Sequence, residues 1–382
     1  MPISAAATST DATAPAKSHY VILDGLRGVA SLLVVVFHLF EAYAGNDPRK
    51  QIINHGYLAV DFFFLLSGFV IAYAYDDRWG GMGRWEFYKR RLIRLQPMVV
   101  LGSVLGAALF AFQSSTIYPK APGTSAWQVI LVMLIGCTMI PMPKSADIRG
   151  WNETYPLNGP AWSLFYEYCA NILYAVGLRR LSNRGLGVLV VLSAVALILL
   201  LVMGKRGDLI GGWSLDADGL MIGVTRVMFP FFAGILLMRL GARVRLPGAF
   251  WLCSLMLIVA LSLPRFGGTE RLWINGLYEA GCVILLFPLI VAIGAGEKQS
   301  DGPSVRVARF FGDLSYPLYI THYPLMYIYV GWVVDRKVPP MQGALAGLGV
   351  LIVSVAVAYA TLKLFDEPAR RWLASRLLTR RP

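Results

Sequence analysis

Apolar windows long enough to cross a bilayer follow one another along this chain, near 24–44, 57–75, 96–113, 126–142, 162–178, 186–203, 219–238, 248–264, 274–294, 314–333 and 342–365. Inside lipid a backbone must satisfy its own N–H and C=O groups, so such a succession calls for an all-α, polytopic transmembrane helical bundle. Charged residues are 15% of the 382, against about a quarter in soluble domains, and mean hydropathy is +0.59, which excludes an ordinary soluble enzyme.

The net charge of +13 fits membrane orientation better than nucleic acid, because the basic residues fall in loops between apolar runs. The loops "RWEFYKRRLIR", "RRLSNR", "RLGARVR" and the tail "RRWLASRLLTRRP" mark the cytoplasmic side. An odd number of crossings must then separate Arg94 from Trp162, yet two windows occupy that interval. One of 96–113 and 126–142 is therefore expected to be re-entrant or interfacial. The expectation is about ten spans with one such additional segment, both termini cytoplasmic, in a cell membrane, the bacterial inner membrane.

Residues 1–19 read as a disordered cytoplasmic tail without the basic start of a cleaved signal peptide, 20–372 as the membrane domain, and 373–382 as a basic cytoplasmic tail. Cys137, Cys169, Cys253 and Cys282 lie apart within apolar runs, so they read as small buried hydrophobes, with no disulfide and no metal.

Ionisable side chains inside apolar spans carry the functional signal. In "DGLRGVASLLVVVFHLF", Arg27 and His38 are eleven residues apart, which returns a helix to the same face about 16 Å further along its axis. An anion held at Arg27 could present a reactive group to His38 through an extended arm. The alternative pairs Arg27 with Asp24 and His38 with Glu41, each three residues away. In "WSLFYEYCAN", Ser163, Glu167 and Asn171 share a face, and axial rise places Glu167 about 7 Å and His38 about 9 Å below the outer boundary. A carboxylate at that depth could orient the imidazole; otherwise Glu167 bonds a tyrosine or water.

Arg90, Arg91 and Arg94 enter the membrane before Pro97, either as bidentate phosphate ligands or as anchors to anionic headgroups. Ser315, Tyr319 and His322 fall on one face of "FFGDLSYPLYITHYP", pointing to a lined cavity, with Asp313 as a candidate cap and Pro317 in the first turn. Ser67 and Gly68 form a small pair that permits close approach of a helix or a ligand.

"DGLRGVASLLVVVFH", "DFFFLLSGFV", "RRLIRLQP", "WSLFYE", "FGDLSYPLYITH" and "DEPARR" occur in the order seen in the acyltransferase 3 family, which the chain resembles from about residue 20 to 372. That resemblance implies an O-acyltransferase of carbohydrates or related acceptors, with cytoplasmic acyl-CoA, usually acetyl-CoA, as donor. It implies that His38 is the catalytic residue paired with Arg27, that Glu167 is the acidic residue of the family's tryptophan-serine-leucine motif, and that Arg27, Arg91 and Arg94 receive the CoA phosphates. It further implies that Ser315, Tyr316 and His322 belong to a late polar helix of the substrate site, and that Glu367 and Arg370 form a structural ion pair. Ser67, Ser163 and Tyr319 complete the expected substrate-binding set. No segment resembles the extracytoplasmic esterase-like domain of some members, so transfer is expected to finish within the membrane domain. The expected partners are acyl-CoA, a carbohydrate acceptor and the lipid bilayer. The competing reading is a transporter or flippase of a glycan or lipid-linked sugar, since intramembrane charges also mark transport pathways.

Overall fold

The computed structural model describes residues 19–45, 47–204, 206–297 and 302–378. The expected N-terminal tail up to residue 18 and the last four residues of the basic tail lie outside them. Among the described residues there is helix and loop but no strand. The helices are α1 Val21–Ala44, α2 Ala59–Tyr75, α3 Arg84–Phe110, α4 Ala126–Gly136, α5 Ala161–Val176, α6 Asn183–Ile198, α7 Ala217–Arg239, α8 Ala249–Ser262, α9 Leu272–Gly281, α10 Phe287–Gly296, α11 Pro303–Thr321, α12 Tyr323–Asp335, α13 Pro340–Thr361 and α14 Glu367–Leu377. A π-turn at Cys282–Leu286 joins α9 to α10, and another at Leu362–Asp366 joins α13 to α14.

Among the described residues seven helical rods are long and apolar enough to cross a membrane: Val21–Ala44, Gly56–Tyr75, Arg84–Phe110, Asn183–Met203, Ala217–Arg239, Leu272–Gly296 and Pro340–Leu377. Of the two windows in question, 96–113 belongs to the 27-residue α3, whereas 126–142 yields only the 11-residue α4. Eleven residues rise about 16 Å, roughly half the hydrocarbon thickness. The capping box at Ser125 and Gln128 starts α4 sharply, and its faces are largely exposed.

The window 314–333 divides differently from its hydropathy. α11 begins at Pro303, so Asp313 is no cap and Pro317 lies in the interior. The chain then breaks at His322, because Pro324 has no N–H to return to the preceding turn. The Asn158 amide donates to the Ile320 carbonyl at that break, 2.9 Å away.

Small residues let two pairs of backbones meet. A Cβ on Gly28 of α1 would stand 2.1 Å from the Phe311 carbonyl oxygen of α11. Gly68 of α2 and Gly234 of α7 are reciprocal: a Cβ on either would lie 2.1 Å from the carbonyl oxygen of Phe231 or Leu65 on the other helix. The small pair at Ser67 and Gly68 thus serves helix approach through the glycine. Asp61 and Arg226, both buried, tie the same two helices together. Around these cores α5 packs on α2, α3 and α7, while α3 also meets α14. Cys253 and Cys282 are buried as expected, but Cys137 is only half-buried and Cys169 is exposed on α5. An apolar residue of a lipid-facing helix gains nothing by turning inward.

Candidate active site

The sequence places Arg27 and Ser31 one turn apart on α1, and the close packing of α1 on α11 brings that face against Ser315, Tyr316 and Tyr319. From the other side α2 contributes Ser67, α3 Arg91 and Arg94, and α5 Ser163 and Glu167. Together these side chains, with Phe63 and Phe64, line one cavity enclosing about 690 Å³ including its open mouth. Nine of the eleven expected site residues meet there; His38 and His322 do not line it. Ser31 was missed, although its i+4 spacing from Arg27 puts it on the same stripe.

Charge is arranged asymmetrically in this cavity. The Arg27 guanidinium is 3.1 Å from Asp24, and the Ser31 hydroxyl donates to the Arg27 carbonyl. Arg91 Nη2 donates to Glu167 Oε1 at 2.9 Å, and the Ser67 hydroxyl donates to the same oxygen at 2.9 Å. Arg91 Nε is buried with no acceptor among the described residues. Arg90 points elsewhere, bonded to Glu86 at the surface, which is the anchoring geometry. Tyr316 donates to the Leu95 carbonyl, and the Tyr319 and Ser163 hydroxyls are 2.7 Å apart.

The expected Glu167–His38 pair does not form. Glu167 holds Arg91, whereas His38 Nδ1 is 2.6 Å from Glu41 Oε2. The depths do not match either: Glu167 lines the cavity in the layer of Arg27 and Arg91, on an α5 that packs beside α2, α3 and α7. The Glu41 carboxylate can only accept, so Nδ1 of a neutral His38 carries the proton and Nε2 keeps its lone pair. Both i+3 pairs of the alternative reading, Asp24–Arg27 and His38–Glu41, are present.

His38 lies one layer further along α1 than the cavity. Its ring stacks on His322 at 5.6 Å between centres and meets Tyr323 edge-on at 4.7 Å. His322 in turn lies 6.2 Å from the Tyr319 ring, so Tyr319, which lines the cavity, and then His322 connect it to His38. The cavity that holds Arg27 thus has Tyr319 and Ser163 on its wall and does not include His38.

Beyond Tyr323 the 137–160 loop is pinned by Arg149, whose guanidinium stacks 3.4 Å from the Tyr327 ring centre and bonds Gln113 and the Pro156 carbonyl. The Tyr327 hydroxyl is 2.9 and 2.8 Å from the two carboxyl oxygens of Glu153. Burial pushes the Glu153 carboxyl up to about 8, against the pull of Arg149. The closing motif also differs from expectation: Arg370 pairs with Asp366 at 2.7 Å and Glu367 with Lys363, both one helical turn apart.

The Acyltransferase domain model of the acyltransferase 3 family matches residues 20–363. "Protein 2 in picA locus" of Rhizobium radiobacter is 35% identical over 190 residues, 47% of this chain and 93% of that protein. "Acyltransferase MdmB" of Streptomyces mycarofaciens is 28% identical over 163 residues, 41% of this chain and 38% of its own. A Staphylococcus aureus (strain COL) protein whose name proposes an O-acetyltransferase is 26% identical over 349 residues, 83% of this chain. The matched region spans 52% of that relative's length. No solved structure matches the chain.

Proposed function

Because the chain belongs to the acyltransferase 3 family, we propose that it is a membrane O-acyltransferase moving an acyl group, acetyl foremost, from cytoplasmic acyl-CoA to a hydroxyl of a cell-envelope or extracellular carbohydrate. The observation that carries the reading is the cavity that gathers Arg27, Arg91 and Arg94 on the same side of the His38–Glu41 pair. The membrane is the bacterial inner membrane, crossed about ten times with both termini inside.

The three arginines offer guanidinium forks to the CoA phosphates, and Arg91 Nε supplies a buried donor not spent on protein. Glu167 and Ser67 hold the Arg91 fork in place rather than the imidazole. The pantetheine arm rises past Ser31 and Phe63, and Tyr319 turns aside from Ser163 to admit the thioester. His38 Nε2 then takes the proton of the acceptor hydroxyl as its oxygen attacks the carbonyl carbon. Glu41 keeps the ring in the tautomer that leaves Nε2 basic. A hydroxyl from Tyr319 or Ser163 stabilises the oxyanion. The new C–O bond replaces the C–S bond, and the imidazolium returns its proton to the departing CoA thiolate.

Membrane vesicles containing the protein, supplied with acetyl-labelled acetyl-CoA, test this directly. The wild type should consume the thioester, and His38→Ala should lower turnover about 10²–10⁴-fold at equal expression. A transporter would leave the thioester intact in both.

A further inference from the structure

His322 is wholly buried at the joint between α11 and α12. Its Nδ1 lies 2.9 Å from the Leu318 carbonyl oxygen, which only accepts, so Nδ1 carries the ring proton and Nε2 keeps a lone pair. Among the described residues no protein group donates to Nε2. A buried acceptor left unmet costs about 1–3 kcal/mol, so this nitrogen is poised for a donor from outside the chain. The nearest hydroxyl-bearing rings are those of Tyr319 and Tyr323, with centres 6.2 and 5.7 Å away. The Tyr319 hydroxyl is engaged with Ser163 at 2.7 Å and with the Pro160 carbonyl at 3.3 Å.

The other neighbour is His38, whose Nδ1 is likewise tied and whose Nε2 is likewise a lone-pair nitrogen. Two imidazoles with centres 5.6 Å apart therefore each keep one acceptor nitrogen. A single hydroxyl has one proton and can satisfy only one of them. Two hydroxyls on adjacent carbons can satisfy both, each through a hydrogen bond of ~2.8 Å.

We propose that His322 is a specificity residue of the transfer reaction: its Nε2 accepts a hydrogen bond from a second hydroxyl of the acceptor, adjacent to the one that His38 deprotonates. The enzyme thereby selects vicinal diols over simple alcohols. This inference rests on His38 being the base of an acetyl-CoA-dependent transferase, and the test separates the two.

Purified full-length protein is given acetyl-CoA with either cyclohexanol or trans-cyclohexane-1,2-diol, and release of CoA and ester is followed. The wild type should prefer the diol about 10–100-fold in kcat/KM. His322→Phe should bring the diol down to the level of the monoalcohol while leaving the KM for acetyl-CoA unchanged. His322→Gln, which offers an amide oxygen, should regain part of the preference; His322→Leu gives the same reading as the phenyl variant in a smaller volume. A preference that survives His322→Phe or His322→Leu overturns the inference. So does a wild type with no preference, or one that hydrolyses acetyl-CoA and acetylates neither alcohol. A wild type inert toward acetyl-CoA overturns the underlying reading of His38, and this inference with it.

Discussion

Two of the arginine–carboxylate pairs in this bundle, Arg226–Asp61 and Arg91–Glu167, are built to opposite specifications. Arg226 reaches Asp61 through Nε at 3.2 Å and Nη2 at 2.7 Å, and donates from Nη1 to the Gly211 carbonyl and from Nη2 to the Tyr57 carbonyl, so each of its three nitrogens is engaged. Both side chains are sealed, 1% and 0% exposed. Arg91, on the wall of a cavity that also holds Arg27 and Arg94, meets Glu167 through a single nitrogen, and among the described residues its buried Nε has no acceptor. A buried charge whose hydrogen bonds are complete can only hold the structure together. A charge with capacity left over, facing space, can take a ligand.

That contrast is most easily broken at the sealed pair. Arg226→Met leaves Asp61 buried and alone, which should cost about 3–5 kcal/mol and appear as a large drop in the detergent melting temperature or loss of folded protein. An unchanged melt would show that the lock is not structural. The open pair is coupled to chemistry one layer away, where Glu41 acts only through His38. Glu41→Gln should lower kcat about 10–100-fold, roughly 1.4–2.7 kcal/mol in the barrier, with the KM for acetyl-CoA unmoved. A kcat that stays put would detach Glu41 from the imidazole.

A buried carboxyl of the 137–160 loop, Glu153, separates packing from ionisation. Its folded value of about 8 lies above the unfolded 4.5, so its contribution is full below pH 4.5 and is lost as pH rises toward 8. Glu153→Gln should remove a slope of about 1.4 kcal/mol per pH unit between those limits, read from melting temperature against pH. A parallel profile in the variant would place the titration elsewhere. The smallest effect is expected at Glu167 itself: Glu167→Gln loosens Arg91 without removing it and should raise the KM for acetyl-CoA about 3–10-fold, in line with a weakened charge-assisted bond. A fall in kcat at constant KM would return Glu167 to the histidine.

Much of the site was legible because helical periodicity is local. Arg27 with Ser31, Ser163 with Glu167, and Ser315 with Tyr319 are each four residues apart, and each pair faces the same cavity. The basic cluster before Pro97 supplied Arg91 and Arg94, and the family motif supplied Tyr316. What periodicity cannot supply is the lateral arrangement of helices. Axial rise counted from an assumed outer boundary matched Glu167 to His38, but α5 sits against α2, α3 and α7 with Glu167 in the layer of Arg27 and Arg91. The partner of His38 was instead the nearer Glu41, legible as an i+3 pair but indistinguishable by spacing from a structural one.

The fold showed the same limits. Hydropathy located the apolar runs yet could not say that 126–142 would close after eleven helical residues, nor that Pro324 would split 314–333 at His322. The cluster of Arg149, Glu153 and Tyr327 joins residues up to 178 positions apart in sequence, and no local pattern announces it.

The central claim is that the arginine cavity receives acyl-CoA, and CoA-induced thermal stabilisation measures it without requiring an acceptor. Titrating CoA should raise the melting temperature of the wild type by mass action, with the response shifted to at least about tenfold higher CoA in an Arg91→Gln, Arg94→Gln double variant. An identical titration in the two proteins would mean that CoA binds elsewhere and would contradict the account.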